Sequence, residues 1–138
     1  MKRTSLYFAD GDFSGGNALP RTADIAIAIQ SGSGFIRDPN SITLLATVNT
    51  AANLEYAPCI SADGREHFFT RLNLNTSEAG IHRATRTSTS AAFAAPQRVS
   101  AITGFVEGPG LSRDEKSLYY HRENPGTGRF DIYRVTRP

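Results

Sequence analysis

The sequence predicts an all-β chain, and three observations point to it. Apolar and β-branched runs of four to seven residues recur along the chain, separated by clusters of Gly, Ser, Asn, Asp and Pro. No stretch sustains the 3.6-residue apolar periodicity of an amphipathic helix. A block of these strand signals also repeats at a fixed spacing.

Taken in chain order, the first strands are expected near 5–9, 24–29 and 42–48. The first holds Leu6-Tyr7-Phe8, the second the β-branched alternation Ile25-Ala26-Ile27-Ala28. A complete set of four follows at 56–61, 66–71, 80–86 and 97–102. Asp63-Gly64 lies between the first two of these and marks a hairpin turn that needs positive φ. Ala91 to Ala95 is alanine-rich but short and ends at Pro96, so it reads as a loop leading into the fourth strand. The last strands are expected at 106–112, 117–122 and 130–136.

Two segments align without a gap at an offset of 51 residues. Pro58, Ser61, Asp63, Phe68-Phe69 and Arg71 match Pro109, Ser112, Asp114, Tyr119-Tyr120 and Arg122. Downstream, Ile81-His82-Arg83-Ala84-Thr85-Arg86 matches Ile132-Tyr133-Arg134-Val135-Thr136-Arg137. A third, looser copy begins the chain. Leu6-Tyr7-Phe8 resembles His67-Phe68-Phe69, Asp24 to Ala28 resembles Asp131 to Val135, and Phe35, Pro39 and Ile42 resemble Phe93, Pro96 and Val99.

A period near fifty residues with four strands per unit is the spacing of a β-propeller blade. The run from Glu55 to Arg65, then Phe68-Phe69-Thr70-Arg71, resembles the opening of TolB-like, WD-like propeller repeats, and Asp131-Ile132-Tyr133 resembles their third strand. Two departures stand out. Glu115 replaces the turn glycine, which suggests a wider turn, and Gly80 replaces the aspartate that opens the third strand. The resemblance implies a single segment over 1–138, with repeats at approximately 1–50, 51–103 and 104–138. It also implies a role as a protein-binding platform or as a gating domain of certain serine peptidases.

The expected inventory is a partial propeller of about two and a half to three four-stranded blades. Rings usually close with about four to eight. Either the chain continues into a longer protein, or copies associate, two chains completing a propeller. The terminal faces are expected to expose Leu6, Phe8, Ile25, Ile27, Tyr120 and Ile132. Met1-Lys2-Arg3 is basic, but Asp10 and Asp12 interrupt any apolar segment behind it, so no signal peptide is read; a full-length chain of this kind is expected in the cytoplasm. No apolar run is long enough for a membrane helix. The net charge of +2 comes from dispersed arginines, which does not suggest nucleic acid.

Candidate chemistry is sparse. Asp10, Asp12 and Ser14 resemble half of a calcium loop, but Arg21 stands where an EF-hand needs Glu, so a long polar hairpin loop is the simpler reading. His67, His82 and His121 lie 15 and 39 residues apart, far from metal-ligand spacing. Ser61 and Ser112 recur at one repeat position and lack a nucleophile elbow; bonding of the following turn explains them. Cys59 sits in an apolar strand and reads as filler. Glu55 and Glu107 lie just before prolines in equivalent strands, and their recurrence favours structure over acid–base work. Arg83, Arg86, Arg134 and Arg137 recur as two pairs and suggest a basic rim for an acidic protein partner. No cofactor is expected. The leading expectation is a non-enzymatic binding or assembly module. The alternative is a piece of a propeller hydrolase, which would need His67, His82, Asp10 or Asp12 to converge in one pocket.

Overall fold

The computed structural model describes residues 4–16 and 18–138; the basic start Met1-Lys2-Arg3 lies outside them. The chain is all-β, with three antiparallel sheets. Sheet 1 comprises β1 (Ser5–Gly11), β2 (Ala23–Ser31) and β3 (Gly34–Arg37). Sheet 2 comprises β4 (Asn53–Ile60), β5 (Glu66–Asn73), β6 (Ala79–Thr85) and β7 (Gln97–Arg98). Sheet 3 comprises β8 (Val106–Leu111), β9 (Ser117–Glu123) and β10 (Phe130–Thr136). Strands are neighbours in chain order within each sheet, a meander.

The strand expected at 42–48 does not form. Its place is taken by a short helix, α1 (Ser41–Leu44), and a following turn. Ser41, Leu44, Leu45 and Val48 are buried at helical spacing while Ile42 is 82% exposed. The segment closes the stretch of β2 that the short β3 leaves unpaired, with side chains instead of a ladder. The Ser41 hydroxyl accepts the Ile27 N–H at 2.8 Å. The Asn49 amide accepts from Ile25 N–H and donates to Ile25 C=O, both at 2.8 Å. Similarly, the strand expected at 97–102 is reduced to Gln97–Arg98 before the chain turns.

Side-chain alternation gives each sheet two apolar faces, and the sheets stack on them. Between sheets 1 and 2, Ile25 and Ile27 meet Phe69, Ala84 and Phe93, with Leu44, Leu45 and Val48 closing the end. Between sheets 2 and 3, Phe68 and Ile81 meet Val106, Leu118 and Tyr120. Ile25, Ile27 and Tyr120 are therefore buried, contrary to the expectation that they lie on terminal faces: each points toward sheet 2. Leu6, at 45%, and Ile132, at 80%, are the exposed members of that set, and Phe8 is half-buried.

Three backbone bonds place the copies in register. The N–H of Gln30 bonds Thr4 C=O, that of Arg86 bonds Arg65 C=O, and that of Arg137 bonds Lys116 C=O, at 2.9–3.0 Å. Gln30, Arg86 and Arg137 are thus equivalent, as are Leu6, His67 and Leu118. The opening strands of sheets 2 and 3 carry matching bulges, at Ala57-Pro58 and Gly108-Pro109, where the ladder skips. Ala57 and Gly108 have φ of 51° and 67°.

Candidate functional site

The most elaborated region is the turn end of the stack, where each hairpin meets the neighbouring sheet. Ser61 and Ser112 anchor two identical turns. Each hydroxyl donates to the aspartate two residues on, Asp63 or Asp114, and accepts the N–H of Glu66 or Ser117. The aspartates also accept the Arg65 and Lys116 amides. These bonds stabilise the ionised carboxyls: the Ser61 and Arg65 donors hold Asp63 at about 2, and those on Asp114 also lower it. The turn at Glu115 is not wider, as the sequence suggested. Glu115 takes φ of 58° where Gly64 takes 71°, and the same bonds close both turns.

The paired arginines clamp these turns. Arg86 Nε donates to Gly64 C=O and Arg137 Nε to Glu115 C=O, both at 2.7 Å. Each then reaches back to the preceding sheet. Arg86 Nη2 donates to the Tyr7 hydroxyl at 2.9 Å, and Arg137 Nη1 to Glu66 at 2.7 Å. Arg83 also binds Glu66, so one carboxylate joins two guanidiniums across the seam. Three of the four arginines read as a basic rim are therefore occupied within the fold. Arg134 is exposed and makes no ion pair among the described residues. A groove of about 740 Å³ runs along the seam of sheets 1 and 2, lined by Tyr7, Ile27, Ile29, Asp38, Ile60 and Arg86. One of about 300 Å³ lies over Arg65, Glu66, Arg83, Glu115 and Arg137 at the next seam.

At the opposite end of β5, Glu55 is fully buried and accepts from Thr50 and from Arg71 Nε at 2.9 Å, while Arg71 Nη2 donates to Val48 C=O. Burial pushes the Glu55 carboxyl up, with the Thr50 and Arg71 donors opposing. Glu107 has a different role: the Tyr56 hydroxyl donates to it across the seam of sheets 2 and 3. Burial and that carboxylate raise the Tyr56 phenol. The two glutamates do not face each other as an acid–base pair.

His67 is fully buried among Tyr7, Phe69 and Phe93, and neither ring nitrogen has a hydrogen-bond partner among the described residues. Burial, reinforced by the Arg86 charge, lowers its pKa to about 3, so the ring is neutral. His82 stacks on Phe69 and is lowered by burial and the Arg71 charge. Asp10 pairs with Arg37 at 2.6 Å, and Asp12 accepts the Ser14 N–H at 2.8 Å within the loop joining β1 and β2. The cleft lined by Asp10, Asp12 and Asp24 contains no histidine. Among the described residues no group of three or more His, Cys, Asp or Glu is placed to hold a metal. The Cys59 thiol accepts the Leu111 N–H at 3.3 Å, and burial pushes its pKa up, the opposite of an activated nucleophile.

Glu66, the hub of the second seam, escapes sequence reasoning. Its signal is a departure from the repeat: the equivalent residue in the third unit is Ser117. His67, opposite Leu118, carries the same signal. Comparison with protein-family models and with curated proteins finds no match to this chain.

Proposed function

We propose that this chain is a segment of a β-propeller, three successive blades, that works as a non-catalytic platform for binding and assembly. The observation that carries the reading is the repeated seam. Arg86 with Gly64 and Tyr7, and Arg137 with Glu115 and Glu66, perform one stapling operation at two successive junctions. Sheets that stack by one repeated contact, with meander strand order, match the blade arrangement. Ser61 and Ser112 spend their hydroxyls on the turn aspartates and backbone, and neither bonds a histidine among the described residues, which supports the non-catalytic reading.

The hydrolase alternative needs His67, His82 and the Asp10–Asp12 pair to meet, and the buried ring of His67 and the separate Asp10–Asp12 cleft give it no support. The test is turnover of a panel of activated esters and fluorogenic peptides by the purified chain. The expected result is no rate above buffer. Turnover that disappears in His82→Gln or Asp10→Asn would overturn the platform reading.

A further inference from the structure

We propose that the outer face of sheet 3 is a blade seam waiting for its partner, and that the partner is the outer face of sheet 1 in a second copy of this chain. The inference rests on the propeller reading and extends it to a defined surface.

The register of the repeat defines the surface. In sheet 2 the face that holds sheet 3 carries Phe68, Thr70, Ile81 and Arg83. The equivalent positions of sheet 3 are Tyr119, His121, Ile132 and Arg134. Ile81 is 0% exposed beneath sheet 3, whereas Ile132, in the same place one unit later, is 80% exposed. Tyr119 and the adjoining Phe130 are also exposed. A face with the composition of a buried seam and the exposure of a surface is an interface lacking its other half.

Sheet 1 supplies that half. Its outer face carries Leu6, Phe8 and Ala28, equivalent to His67, Phe69 and Ala84, which seat sheet 2 on sheet 1, and to Leu118, Tyr120 and Val135, which seat sheet 3 on sheet 2. The polar positions match as well. At the seam of sheets 2 and 3 the staple joins Glu66 to Arg137. At the new junction the same positions are Ser117 and Gln30, an uncharged pair, and Arg134, which stands where Arg83 pairs with Glu66, keeps its guanidinium at the solvent-facing rim. Two copies joined tail to head, twice around a two-fold axis, make six sheets, within the range of closed propellers.

Light scattering coupled to size exclusion, at tens of micromolar, tests this on the whole chain. The expected mass is about twice 14.9 kDa. Ile132→Asp, and independently Leu6→Asp, should each weaken the dimer about a hundredfold or more, with circular dichroism unchanged. Ile132→Val should remain dimeric. A wild-type monomer, or a dimer indifferent to both aspartate variants, would overturn the inference. A monomer without hydrolytic turnover would leave the platform reading intact, and a dimer with turnover would overturn that reading alone.

Discussion

Ile81 and Ile132 occupy one position of the repeat and live in opposite environments, the first sealed between sheets 2 and 3, the second open. The repeat specifies which face is sticky, while the neighbour decides whether that face is buried. A seam is a property of two sheets: the isoleucine that sheet 3 covers at position 81 is left open at position 132.

Ile81→Asp places an unpaired carboxylate in a closed apolar cluster and should cost about 4 kcal/mol or more, enough to unfold the chain, whereas Ile132→Asp should leave the protomer's melting temperature within a few degrees. Thermal melts of the two variants at low protein concentration make the contrast.

The bulge that opens sheet 3 gives the next effect. A Cβ at Gly108 would lie 2.3 Å from His121 Nε2, at φ of 67°. The exposed His121 ring can swing aside, so the left-handed backbone carries the cost, and Gly108→Ala should destabilise by about 1 kcal/mol in chemical denaturation.

The pH dependence of the first seam follows. His67 falls from an ordinary 6.5 to about 3 on folding. Below pH 6.5 the unfolded chain takes up a proton that the folded chain refuses, so this contribution is complete above pH 6.5 and is lost as pH falls toward 3. At pH 5 the loss is about 2 kcal/mol. His67→Leu, which installs the residue found at the equivalent Leu6 and Leu118, should flatten the acid limb of stability against pH. An acid limb as steep as wild type would show that other groups set it.

The smallest effect belongs to the bulge that opens sheet 2. Ala57 already holds the left-handed position equivalent to Gly108, at φ of 51°. Ala57→Gly should therefore stabilise, by about 0.5 kcal/mol, read as a small rise in the denaturation midpoint.

Much of this architecture is legible in the sequence, because period-two alternation and turn chemistry are local. Ser61-Ala62-Asp63-Gly64 announces its hairpin, and the offset of 51 places nearly all of sheets 2 and 3. Where local signals are short or ambiguous the structure departs from expectation. The four helically spaced residues from Ser41 to Val48 make barely two turns, too few to stand out from a strand of similar composition. Glycine's preference for positive φ argues against Glu115 in a tight turn, yet five other bonds in the turn and the Arg137 clamp hold it there. The arginine pairs can be located from the repeat but their partners cannot, since Glu66 and Tyr7 are brought to them only by the stacking of sheets.

Hydrogen exchange of the wild-type chain over a range of protein concentrations reads whether β10 lies on an unfinished seam. Peptides covering 79–85 should exchange slowly at every concentration, because sheet 3 covers them within the same molecule. Peptides covering 130–136 should gain protection as concentration rises through the dimer's dissociation constant, and Ile132→Asp should abolish that gain. Exchange in 130–136 that is fast and independent of concentration would mean that β10 meets no second copy.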